Sequence, residues 1–92
     1  MAGAVRLRIE GRVQGVGYRA WLEGEALASG LRGWVRNRRD GSVEALLIGA
    51  DAAIEAVTSA CARGPRLAGV TNVGRHQADD DGSRSFTALP TI

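Results

Sequence analysis

Arg19 and Asn37 are the side chains of this sequence best placed to do chemistry, and the glycines ahead of Arg19 indicate which kind. In the run Gly11-Arg12-Val13-Gln14-Gly15-Val16-Gly17-Tyr18-Arg19, glycines and backbone amides fall between a predicted strand and a predicted helix, and the run ends on an arginine at the helix start. An anion held there meets unpaired N–H groups and the positive end of the helix dipole. Gly15 and Gly17 can adopt positive φ and let the backbone curl around an oxyanion, while Arg19 can add two parallel charge-assisted hydrogen bonds. The expected phosphate cradle is Gln14, Gly15, Val16, Gly17, Tyr18 and Arg19. A second motif, Gly33-Trp34-Val35-Arg36-Asn37 followed by Asp40-Gly41-Ser42-Val43, supplies one positioned amide side chain, Asn37.

Distant residues act together only if the fold gathers them. Val5, Leu7 and Ile9 alternate with Arg6, Arg8 and Glu10, the period of a strand with one buried and one wet face. Leu22, Ala26 and Ser29 share a helical face, and Gly30 stands at a left-handed stop, which predicts a helix over about 19–29. Leu31, Gly33, Val35 and Asn37 alternate with Arg32, Trp34, Arg36 and Arg38, and Asp40-Gly41 turns this strand back on residues 42–48. Asp51 is the expected cap of a second helix, whose Ile54, Val57 and Cys61 share a face and which Gly64-Pro65 ends. Residues 70–77 read as a fourth strand, Asp79-Asp80-Asp81-Gly82 as a charged turn, and 84–89 as a short last strand stopped by Pro90. The order predicts an α+β, ferredoxin-like sandwich: βαββαβ plus a short extra strand, with two helices on one face of a mostly antiparallel sheet. A crossover helix makes the first two strands parallel, so Asn37 ends at the sheet edge where the first helix begins, on the helix side.

Neither motif contains a His, Asp, Cys or Ser placed as an obvious acid, base or nucleophile, and neither offers a metal-ligand set. The leaving group must therefore depart unaided. In an acyl phosphate it is a carboxylate of pKa about 4, which needs no proton, whereas a phosphate monoester would release a poor alkoxide. Such a site works by electrostatic stabilisation and positioning, with a substrate oxygen able to take the proton of the attacking water.

These motifs resemble the acylphosphatase signature, and the resemblance spans most of the chain, including Gly64-Pro65 before the fourth strand. It implies a small ferredoxin-like enzyme that hydrolyses carboxyl–phosphate anhydrides without a metal. It also implies that Arg19 binds the phosphate and that Asn37 orients the attacking water. Departures from the family pattern are Ser29 at a position more often bulky and apolar, Gly24 within the helix, and Arg38-Arg39 after the asparagine.

Composition bounds the remainder. Ninety-two residues, 45% hydrophobic and 24% charged, predict one small domain, neither disordered nor fibrous, and the resemblance implies that it is a single acylphosphatase-like domain over 1–92. No apolar run approaches the roughly 20 residues of a membrane span, and the start of the sequence lacks a leader pattern, so a cytoplasmic protein without membrane partners is expected. The one cysteine, Cys61, is expected as a small buried hydrophobe. All basic residues are arginine, and a net charge of +2 is too small to argue for nucleic acid. The expected partners are an acyl phosphate and its product, inorganic phosphate; no cofactor, no metal and a monomer are expected. Two other readings are a phosphate-binding module without turnover and an RNA-binding ferredoxin-like domain using Trp34 among Arg6, Arg8 and Arg36. Leu46 and Ile48 on that same face would equally suit a small association surface. His76 lies far from both motifs.

Overall fold

The computed structural model describes residues 2–92. The elements run β1 (Ala2–Arg12), α1 (Tyr18–Ala28), β2 (Arg32–Asn37), β3 (Val43–Ala50), α2 (Asp51–Cys61), β4 (Gly69–Gln77) and β5 (Phe86–Ala88). They form one five-stranded sheet in the order β4-β1-β3-β2-β5. The β1–β3, β1–β4 and β2–β3 ladders are antiparallel and β2–β5 is parallel. Both helices cover one face, α1 over β2 and β5 and α2 over β1 and β3. This is the expected ferredoxin-like α+β fold.

Period-two alternation places Val5, Leu7 and Ile9 of β1 under the helices and leaves Arg6 and Arg8 exposed. Tyr18, Leu22 and Ala26 of α1 and Ile54, Val57 and Cys61 of α2 close the core from above. The Tyr18 hydroxyl donates to the Cys61 carbonyl at 2.7 Å, tying the first residue of α1 to the last of α2 inside the core. Burial pushes the Tyr18 phenol upward, and it raises the Cys61 thiol to about 11. Cys61 is therefore a buried, protonated thiol, as its stripe position implies.

Several local expectations shift. The first helix begins at Tyr18 and ends at Ala28, so Ser29 falls past its end and is exposed. Asp51 does not cap α2 but opens it, because Ala50 is still paired with β1 and leaves no loop residue for a cap. Its carboxylate still stands in the first turn, where the helix dipole favours negative charge. The last strand shortens to Phe86–Ala88.

The largest correction concerns the face opposite the helices. Leu46 and Ile48, read as lying on a solvated face that would equally suit a small association surface, are buried. Residues 78–85 fold against this face: Arg32 pairs with Asp80 and donates to the Ser83 carbonyl, and the Trp34 indole N–H donates to Asp81 at 3.1 Å. The Arg36 guanidinium lies 4.6 Å from the Trp34 ring centroid. The ring is thus engaged by the chain itself and flanked by acids, which removes the basis for stacking an RNA base on it. Among the described residues no helix is long and apolar enough to cross a membrane.

Gly33 is the tightest point of the sheet. Its φ is +129°, and a Cβ there would stand 1.9 Å from the Leu46 carbonyl oxygen. Gly33→Ala is therefore expected to prise β2 from β3 and cost on the order of 3 kcal/mol, read as a lower urea midpoint at unchanged slope. A midpoint within error of the parent would contradict this account of the β2–β3 contact.

Candidate functional site

Residues 13–17 lead from β1 into α1. Gly15 and Gly17 have φ of +73° and +79°, and a Cβ on either would meet nothing within 4 Å. Conformation rather than space calls for glycine at both positions. Gly17 precedes α1 directly, and no side chain caps the helix start. The N–H groups of its first turn are thus left to a bound anion or to solvent.

A cavity of about 370 Å³ opens at this helix start, lined by Val13, Gly15, Gly17, Tyr18, Arg19, Ala20, Glu23, Asn37 and Ala88. The fold therefore brings together Gly15, Gly17, Tyr18, Arg19 and Asn37 of the expected site. Gln14 and Val16, expected in the cradle, do not line it. The Val16 side chain packs against the core. Gln14 turns toward the β2–β3 turn, where its Nε2 donates to the carbonyls of Arg38 at 2.7 Å and Ser42 at 2.9 Å. It is a strut between the two motifs.

Arg19 is held in an unusual way for an arginine near an acid. Its Nη1 donates to the Leu89 carbonyl at 3.0 Å, and no carboxylate pairs with it among the described residues. Its charge stays available. Glu23, one turn further along α1, accepts instead from the Ala88 N–H at 3.2 Å. Tyr18 contributes no hydroxyl to the cavity, since that group is bonded in the core.

Asn37 ends β2 and is fixed from several sides. Its carbonyl accepts from the Ile92 N–H at 3.2 Å, and the Arg39 N–H donates to the Ile92 carbonyl at 2.8 Å. The following turn closes through Arg38 N–H to the Ser42 carbonyl at 2.8 Å. Asp40 locks that turn by accepting from the Ser42 hydroxyl at 2.6 Å and its N–H at 2.9 Å, and from Arg8 at 2.6 Å. Those bonds, the Ser42 hydroxyl foremost, hold the Asp40 carboxyl well below the usual carboxylate range. The Arg38 side chain points away from the cavity and joins Arg36 on Glu44, at 3.1 and 2.8 Å. Burial alone would raise the Glu44 carboxyl, but the two guanidinium groups outweigh it and lower it.

Among the described residues no three His, Cys, Asp or Glu side chains gather as a metal site. His76 is exposed on β4, opposite Arg6. Sequence reasoning missed Glu23 and residues 88–89. The spacing of Glu23 from Arg19 could have revealed the first, since side chains four apart share a helix face. No local signal announces that Leu89 will meet Arg19.

Residues 5–88 match the family model described as Acylphosphatase. An acylphosphatase of Bradyrhizobium diazoefficiens is 48% identical over 94 residues, covering 96% of this chain and 95% of the relative. The structure is also similar to the acylphosphatase from Coxiella burnetii, with TM-score 0.92, 28% identity and coverage of 96% and 93%. For the acylphosphatase from Bacillus subtilis the TM-score is 0.91, with 34% identity and coverage of 97% and 99%.

The Gln14 strut yields a test of the geometry itself. Gln14→Ala strips a donor from two part-buried carbonyls, so it is expected to cost about 1–2 kcal/mol and to speed amide exchange at Arg38 and Gly41 while sparing the β1–β4 ladder. Unchanged exchange in the turn would show that Gln14 does not brace it.

Proposed function

The chain belongs to the acylphosphatase family, and from that premise we propose that it hydrolyses acyl phosphates to a carboxylate and inorganic phosphate without a metal. The observation that carries this reading is Arg19, held by a neutral carbonyl and facing the same cavity as Asn37 and the open start of α1. The backbone N–H groups of the Gln14–Arg19 segment bind the phosphoryl oxygens, and the helix dipole adds to their attraction. Arg19 neutralises the dianion and tracks the negative charge as it redistributes on phosphorus.

Asn37 holds the attacking water. Its amide has both a donor and an acceptor, and no hydrogen bond to another described residue occupies it, so it can orient a water on the phosphorus side of the cavity. The P–O bond to the acyl group breaks as the water oxygen bonds to phosphorus. The carboxylate leaves with its electron pair and needs no proton, and a phosphoryl oxygen takes the proton of the water. Inorganic phosphate remains in the cradle as product. The other two readings lack comparable support: a binding module has no use for a positioned amide, and the Trp34 face is engaged by residues 80–83.

On this mechanism Arg19→Ala is expected to lower kcat/KM for benzoyl phosphate by about 10²–10³-fold, and Arg19→Lys to recover little because it loses the planar two-pronged donor. Asn37→Ala is expected to lower kcat strongly while calorimetry shows inorganic phosphate bound within about twofold of the parent, since the amide holds the nucleophile rather than the anion. Parallel loss of rate and phosphate affinity in Asn37→Ala would instead make it part of the cradle. Turnover is expected to survive a chelator, with p-nitrophenyl phosphate a far poorer substrate than benzoyl phosphate; loss of activity on chelation, restored by Mg²⁺ or Zn²⁺, would overturn the metal-free mechanism.

A further inference from the structure

Glu23 is the acid on the wall of the cavity, and nothing in the proposed reaction uses it. It stands four residues after Arg19, on the same helix face, where such a pair ordinarily forms an ion pair. Here it does not. The backbone of residues 88–89 engages each of them instead: Leu89 offers its carbonyl to Arg19 at 3.0 Å, and Ala88 offers its N–H to Glu23 at 3.2 Å. One cavity thereby keeps an uncompensated cation at its cradle and an anion one helical turn along the wall. Ala20 and Ala88 also line the cavity, and both side chains are small.

The two charges act on different parts of one substrate. A phosphoryl group drawn to Arg19 and the amides at the helix start leaves its acyl portion toward the wall that carries Glu23. We infer that Glu23 is a specificity residue, a charge filter that selects acyl phosphates with a neutral or cationic acyl group and discriminates against those bearing a second carboxylate or phosphate. The inference rests on the phosphate site proposed above. Its physical basis is like-charge repulsion in a cleft with low-dielectric walls, which is attenuated because Glu23 is half-exposed to solvent.

Three acyl phosphates of similar size test it: benzoyl phosphate, 4-carboxybenzoyl phosphate and 4-(aminomethyl)benzoyl phosphate, hydrolysed by the parent protein and by Glu23→Gln. Glutamine retains an acceptor for the Ala88 N–H, so the wall keeps its shape while the charge goes. Comparing each substrate between the two proteins cancels its intrinsic reactivity. The parent is expected to favour the cationic over the anionic substrate, and Glu23→Gln to shrink that ratio about three- to tenfold, as does raising ionic strength with the parent. A ratio unchanged by Glu23→Gln would overturn the filter and leave Glu23 as a strut for Ala88. If the parent turns over none of the three, including benzoyl phosphate, the proposed reaction itself fails and the filter with it.

Discussion

Arg19 keeps its charge because the group that holds it is a carbonyl. A carboxylate in the place of Leu89 O would fix the side chain equally well, but it would spend the field that a phosphate dianion needs. Much of the architecture follows from satisfying that one condition. Parallel pairing of β5 with β2 brings residues 88–92 past α1, so that one stretch of backbone holds Arg19, binds Glu23 and braces Asn37 and Arg39. The Tyr18–Cys61 bond fixes the start of α1 from beneath, and Gln14 carries the position of the glycine turn across to the turn after Asn37.

Arg6, Arg12, Arg39, Arg63, Arg66 and Arg84 also lack a carboxylate partner among the described residues, so what marks Arg19 is its carbonyl anchor at the edge of the cavity, in contrast to five other arginines. Arg8, Arg32, Arg36, Arg38 and Arg75 each pair with a carboxylate, on Asp40, Asp80, Glu44, Glu44 and Glu55. The exposed ones among them, Arg8–Asp40, Arg32–Asp80 and Arg75–Glu55, add little to stability, because water screens them. Their value here lies in register and shape: Arg8–Asp40 helps lock the turn beyond Asn37, and Arg32–Asp80 holds residues 78–85 across the second sheet face. Those bridges place loops, while the arginine at the helix start is left to meet a ligand.

The fold was legible wherever hydrophobic period and turn chemistry agreed. Val5, Leu7 and Ile9, the stripes of both helices, and Asp40-Gly41 each led to the observed element. Asp51 misled because a strand that runs straight into a helix leaves no loop residue to act as cap. Leu46 and Ile48 misled because alternation tells which face a side chain takes, and says nothing of a distant loop that covers it. At the site, the glycines, Arg19 and Asn37 were marked by local motif and topology, and the cavity gathers them. The strut role of the Gln14 side chain went unread, and so did the hold of Leu89 on Arg19 and of Ala88 on Glu23, because each depends on a contact across a long sequence separation. Such contacts leave little trace in any short window of residues.

The central claim is that the start of α1, with Arg19, forms the place where a phosphate dianion binds. The most direct measurement is an NMR titration of the ¹⁵N-labelled protein with inorganic phosphate, at fixed ionic strength and with a chelator present. The account predicts saturable shifts that are largest at the backbone amides of Gln14–Ala20 and at the Arg19 Nε–H, with smaller ones at the Asn37 side chain. Shifts spread over Arg6, Arg8 and His76 on the opposite sheet face, with the Gln14–Ala20 amides unmoved, would contradict it.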